Sequence, residues 1–206
     1  MGRGALLGPT FVSVLRAARR GRQSAWDAIY RDLAPPLLGY ARSQNAPDPE
    51  DLVGEVFLEV VRSLSRFEGD EEERFRGWVF TIARRRLVDA RRRSGRRPAD
   101  LTAPGVLAER AGTYEDDALE RLSLEDVRAL LACLSEDQRE VMVLRLVAGL
   151  RTAEIAEVTG RHPEAVKGLA KRAIARLREV LGTPGRSADD PPGDEDVPPP
   201  SGPGRR

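Results

Sequence analysis

Residues 75–97, FRGWVFTIARRRLVDARRRSGRR, place Phe75, Trp78, Val79, Ile82, Ala83 and Ala90 at helical spacing. At 100° per residue these side chains fall within about a third of the circumference, the pattern of a helix seated on a core. From Arg84 onward the same segment carries eight arginines and a single acid, Asp89. Thr81, Arg84, Arg85, Val88, Arg91 and Arg92 lie on the other side, with Phe80 at the border. A face that only solubilises a helix usually mixes acids with bases. Guanidinium groups alone suit phosphate oxygens, which they meet with planar, forked donors, and they stack on bases. The competing reading is a solvated face neutralised by the acids of residues 68–73. Nucleic acid is preferred because a second DNA-reading candidate lies further along the chain.

Helical periodicity dominates elsewhere and no run alternates at strand spacing, so an all-α fold is expected. A first helix is expected over Val12–Arg20, and a second from Ser24, as N-cap, to Asp32. Pro35 and Pro36 should then break or kink the path before LLGYARSQ resumes it. In DPEDLVGEVFLEVVRSLSRF, Asp48 is the expected N-cap, Pro49 the first helical residue, and Glu50 and Asp51 the acids that a helix dipole favours. Leu52, Val53, Val56, Phe57, Val60, Val61 and Leu64 form its apolar stripe. The arginine segment should end near Gly95 and Pro98. The expected organisation is a flexible N-terminus over residues 1–12, a helical domain over 13–97, a flexible linker over 98–118, a second helical domain over 119–181, and a disordered Pro/Gly-rich acidic tail over 182–206.

The second domain carries its own DNA signal. Ser135 and Gln138 stand at capping-box spacing ahead of an apolar stripe from Val141 to Val147, with Gly149 ending it. A short helix, Thr152–Val158, stops at Gly160, which can take the positive φ of a tight turn. Pro163 then opens a longer helix, with His162 at the N-cap position. Val166, Leu169, Ala170, Ala173, Ile174 and Leu177 would face inward; Glu164, Lys167, Gly168, Lys171 and Arg172 would face outward. Helix, glycine turn, helix is the arrangement that sets a second helix into a DNA major groove, though ordinary helical hairpins share it.

The net charge of +1 says nothing of a partner, because the charges are segregated in blocks. The single cysteine, Cys133, excludes an internal disulfide and a multi-cysteine zinc site. Its run, LLACL, points to a buried small hydrophobe. One histidine, no phosphate-cradling glycine loop and no nucleophile near a base argue against an enzyme, a metal and a cofactor. The N-terminal MGRGALLGPTFVSVL is too short for a membrane span and lacks a cleavage pattern, so a cytoplasmic protein is expected.

With these segments in view, the chain resembles the extracytoplasmic-function (ECF) sigma factors of bacterial RNA polymerase over about residues 14–181. RAARRGRQSAWDAIYRDLAPPLLGYARS is similar to the family's opening, DPEDLVGEVFLEVVRSLSRF to its polymerase-binding helix, and FRGWVFTIARRRLVDARRR to its −10-element helix. LSEDQREVMVLRLVAGLRTAEIAEVTGRHPEAVKGLAKRAIARLR is similar to its −35-element domain. The resemblance implies binding to core polymerase through Asp51, Leu52, Glu55, Val56 and Glu59, which match the helix docked on the clamp coiled coil of the largest subunit. It implies −10 contacts from Phe80, Thr81, Arg84, Arg85, Arg91 and Arg92, with the loop before Phe75 taking up an extruded base. It implies −35 contacts from His162, Pro163, Glu164, Lys167, Gly168, Lys171 and Arg172, and a meeting of Leu124–Val147 with the flap of the second-largest subunit. An anti-sigma protein is a further partner that it admits. Thr81 and Ile82 stand where primary sigma factors carry paired tryptophans, which fits the specialised group. Arg151 replaces the usual Ser or Thr before the first helix of the helix-turn-helix, leaving Thr152 as the expected cap. The alternative function is a stand-alone helix-turn-helix regulator, which would need no polymerase-binding segment.

Overall fold

The computed structural model describes residues 7–95 and 124–181, so the expected linker and tail, and the first half of the expected N-terminus, lie outside the described residues, while Gly8–Thr10 form a 3-10 turn leading into the first helix. Eight α-helices occur among the described residues. The first half contains α1 (Phe11–Arg19), α2 (Gln23–Ser43), α3 (Pro49–Ser63) and α4 (Glu72–Arg93). The second contains α5 (Leu124–Ala132), α6 (Glu136–Leu146), α7 (Thr152–Thr159) and α8 (Pro163–Val180). No strand occurs among these residues.

Two features of α2 depart from the sequence reading. Its N-cap is Arg22, in extended conformation and without a side-chain cap, rather than Ser24. The helix also runs through Pro35 and Pro36 without a break. Each proline removes a backbone donor at a cost of about 3 kcal/mol in a helix interior. Leu33, Pro36, Leu37 and Tyr40 are all buried on this stretch, and large apolar side chains contribute roughly 1.5–3 kcal/mol each on burial. Packing therefore outweighs the lost hydrogen bonds, and the helix persists.

Helix α3 starts as its sequence dictates: the Asp51 backbone N–H donates to Asp48 Oδ1 at 2.9 Å. Leu52, Val53, Val56, Phe57 and Val60 are buried, as is Leu64 in the 3-10 turn that follows. Val61, expected in the stripe, is 52% exposed. Cys133 is likewise exposed, because α5 ends one residue earlier and Leu134 is the residue turned inward.

The arginine segment is helical over Glu72–Arg93 and packs on both sides, against α3 and against α7. Phe75, Phe67 and Trp78 form an aromatic cluster, with ring centroids 5.2–5.7 Å apart. At the other end of the interface, α2 packs on α6. One apolar cluster accordingly runs from Ile29, Tyr40 and Phe80 in the first half to Val141, Leu144 and Ile155 in the second. The two halves are docked on each other.

Candidate nucleic-acid interface

The helix-turn-helix forms as its local signals require. Ser135 and Gln138 make a reciprocal capping box at the start of α6, which satisfies two otherwise unpartnered backbone groups. Gly160 ends α7 at φ +67°, a left-handed conformation suited to glycine. His162 caps α8, its Nδ1 accepting the Glu164 N–H at 3.3 Å, and Pro163 occupies the first turn. The cap of α7 is Arg151, not Thr152: Glu154 reaches back to the Arg151 backbone N–H at 2.6 Å and to its guanidinium at 2.9 Å. That carboxylate raises the Arg151 pKa, and the charges of Glu73 and Glu71 reinforce the shift.

Val166, Leu169, Ala170 and Ala173 of α8 face inward, whereas Ile174 is 37% exposed. His162, Pro163, Glu164, Lys167, Lys171 and Arg172 are exposed and Gly168 is half-buried, all in the first three turns. Lys167 Nζ lies 2.7 Å from Glu164 Oε1, and this contact holds the Glu164 carboxyl below its usual pKa. Beside this row an open groove of about 440 Å³ is rimmed by Arg145, Lys167, Lys171 and Arg178 over a floor of Ala170 and Ile174. The lining therefore holds four cations and no acid, although Lys167 is itself paired with Glu164 just outside it.

The α4 residues are divided. Arg85 and Arg92 are exposed. Arg84 Nε donates to Glu140 Oε1 at 3.0 Å, and the same oxygen accepts the Tyr40 hydroxyl at 2.9 Å. Arg91 Nη1 donates to Glu136 Oε1 at 2.5 Å while its Nη2 donates to the Gln44 carbonyl. Thr81 is half-buried, its hydroxyl donating to the Gly77 carbonyl at 2.9 Å. Phe80 is wholly buried, edge-on to Tyr40 at 5.6 Å between centroids. Its expected place on a DNA face is therefore corrected: the second half covers that border of α4 and turns it into core.

On α3, Leu52 and Val56 are buried at 4% and 1% exposure. They support the helix from beneath and cannot form its outer surface, which corrects their assignment as contacts. Asp51 is exposed and Glu55 and Glu59 are half-buried. Glu59 pairs with Arg86 at 2.7 Å, and Glu55 with Arg93 at 3.3 Å. Sequence reasoning missed Leu58, 57% exposed, which shares a face with Asp51, Glu55 and Arg62 at helical spacing. It also missed Glu140, only 7% exposed. The signal was present: Glu140 stands four residues before Leu144 and eight before Ala148, in register with the buried stripe.

A helix-turn-helix joined to an arginine-faced helical domain defines a helical DNA-binding protein, and comparison with known proteins specifies its family. Residues 29–97 match the family description Sigma-70 region 2, and residues 124–177 match Sigma-70, region 4. The chain is 32% identical over 182 residues to the ECF RNA polymerase sigma factor ShbA of Streptomyces griseus, covering 82% of this chain and 93% of ShbA. A solved structure of CnrH in complex with the cytosolic domain of CnrY is similar at a TM-score of 0.57 and 26% identity, covering 84% of this chain and 97% of that one. The sigma factor RpoE of Bartonella quintana, solved with the anti-sigma factor NepR, is similar at 0.57 and 27% identity, covering 73% and 93%. The chain belongs to the ECF sigma factors. It binds core RNA polymerase and directs promoter-specific transcription initiation, and the stand-alone regulator is set aside.

Proposed function

We propose that the two halves divide promoter reading between them. The region 2-like domain, assigned to residues 13–97, takes the −10 element on Thr81, Arg84, Arg85, Arg91 and Arg92, and the loop before Phe75 receives an extruded base. The region 4-like domain, assigned to 119–181, reads −35 with His162, Pro163, Glu164, Lys167, Gly168, Lys171 and Arg172. Asp51, Glu55, Glu59 and the exposed Leu58 dock on the polymerase clamp, and α5 and α6 on the flap. The observation that carries this reading is the exposed cationic row of α8, set by the Gly160 turn beside a four-cation groove. Such a surface gains affinity by releasing phosphate counterions.

The protein then has no catalytic activity of its own and works in the cytoplasm. Among the described residues no helix is long and apolar enough to cross a membrane. An anti-sigma partner fits the likeness to RpoE, solved with the anti-sigma factor NepR. The test is transcription by purified core polymerase, with and without the protein, on a fragment library of its own genome. Discrete new starts sharing two short elements about two DNA turns apart are expected. Starts that survive loss of Lys167, Lys171 and Arg172 together would overturn the −35 assignment.

A further inference from the structure

The loop that leads into α4, residues 67–71, is held from one side by the N-terminal segment of the chain. Arg19, in the last turn of α1, donates from a single nitrogen, Nη2, to the Phe67 carbonyl at 2.8 Å and to the Gly69 carbonyl at 3.1 Å. Two carbonyls that converge on one point repel each other unless a donor lies between them, and bonds to a charged donor are roughly twice as strong as neutral ones. Gly69 makes the convergence possible: its φ of +111° is a conformation that glycine adopts freely. The far end of the loop is fixed by Glu72, whose carboxylate accepts the backbone N–H groups of Leu7 at 3.2 Å and Gly8 at 3.1 Å.

Between these two anchors stand Glu68, Gly69, Asp70 and Glu71, all exposed. Behind them lies the cluster of Phe67, Phe75 and Trp78, of which the two phenylalanines are buried and Trp78 is half-buried. Exposed aromatic surface is what an unstacked base stacks on. A base entering beside Trp78 would meet the backbone of this loop, and the course of that backbone is set by what Arg19 and Glu72 hold.

We propose that α1 is the scaffold of this loop and that Arg19 is a positioning residue for promoter opening: by holding the Phe67 and Gly69 carbonyls it fixes the loop's shape, and so sets which base is accepted at one position of the −10 element. The proposal rests on the reading of this loop as the receiver of an extruded base. Its physical basis is pre-organisation. A loop curled before the base arrives discriminates by fit, whereas a slack loop adapts to any base and discriminates poorly. Arg19 acts through the loop backbone and makes no contact with DNA itself.

The test uses holoenzyme assembled from core polymerase and the full chain, on a promoter library randomised over the −10 element of a start mapped with the parent protein. Arg19→Met keeps the aliphatic stem and removes the donors. The ratio of best to worst base at one −10 position should fall about tenfold, the size of one lost base contact. The other −10 positions, the −35 preferences, capture by core polymerase and the thermal transition should all stay at parent values. Arg19→Lys, which keeps a cation on a stem of similar length, should restore most of the preference. A uniform fall across the library, an unchanged profile, or a lysine variant no better than the methionine one overturns the proposal. The reading of the loop is tested separately by Glu68→Ala/Asp70→Ala within the loop itself. A changed preference in that variant but not in Arg19→Met removes the role of Arg19 alone. No change in either removes the loop as the receiver of a base, and the proposal with it.

Discussion

At the scale of single residues, two glycines with nearly the same backbone separate conformational strain from contact. Gly149 has φ +68° and Gly160 φ +67°. A Cβ at Gly160 would meet nothing within 4 Å, whereas one at Gly149 would lie 2.8 Å from Arg76 Nη1. Gly160→Ala should cost only the left-handed strain, about 1–2 kcal/mol. Gly149→Ala carries the same strain and must also displace a buried guanidinium that bonds Ala148 and Glu72. A hydrogen bond to a charged group contributes about 1.5–3 kcal/mol, so the loss should exceed that of Gly160→Ala by at least about 1 kcal/mol in urea denaturation. Equal losses would mean that Arg76 swings clear at no cost. Tyr40 supports a prediction on pH. Burial, followed by the Glu140 charge and hydrogen bond, pushes its phenol well above the usual value of 10. The raised value means that the neutral phenol is favoured in the folded state. Its contribution is complete below the ordinary pKa, near 10, and declines as pH rises through the higher folded value. Tyr40→Phe fills the same space without the hydroxyl, and should flatten the alkaline loss of stability above about pH 10. A parallel alkaline decline in both proteins would remove Tyr40 as its source.

At the scale of helices, α3 shows how one element carries two duties on opposite sides. Leu52 and Val56 face the core while Leu58 stands 57% exposed. Leu52→Ala should therefore destabilise by about 2–5 kcal/mol and affect polymerase binding only through folding. Leu58→Glu should leave the thermal transition within about 0.5 kcal/mol of the parent, as surface changes do, yet weaken capture by core polymerase at least about tenfold if Leu58 anchors the contact. Undiminished capture would move the docking face elsewhere. The same helix marks how much the sequence could tell. Its cap, first-turn acids and buried stripe are local and periodic, so they were legible, as were the Ser135 capping box, the Gly160 turn and the exposed row of α8. Val61 was misassigned because a generous apolar arc extends past the contact with α2 and α4. The break expected at Pro35 and Pro36 failed for a related reason: a propensity rule met tertiary burial of Leu33, Leu37 and Tyr40. Phe80 and Glu140 were misread or missed because α4 is packed from two sides. A helical wheel describes one core face well, but it cannot know that a second domain covers the border.

At the scale of the whole molecule, charge reversal on α4 acts on two equilibria at once. Arg84→Glu/Arg91→Glu sets carboxylates against Glu140 and Glu136, which now accept from those arginines at 3.0 and 2.5 Å. Like charges at these separations repel, and one of them would be nearly buried, so the halves should part. The reversed face, though exposed, would also repel phosphate. The double reversal and Glu136→Ala/Glu140→Ala should therefore both loosen the contact between the halves, while DNA binding falls in the first alone. Salt separates these effects further. Each phosphate contact to a single strand contributes about −0.7 to the slope of log affinity against log salt. Loss of two arginine contacts should thus make the slope of the reversed protein shallower by about 1.4 than that of the double alanine variant. The measurement is a salt titration of both variants with a fluorescent single-stranded DNA of mixed sequence. Equal slopes would mean that Arg84 and Arg91 never meet phosphate, confining them to holding the two halves together. A difference near the expected value would place phosphate on the same guanidiniums that link α4 to α6.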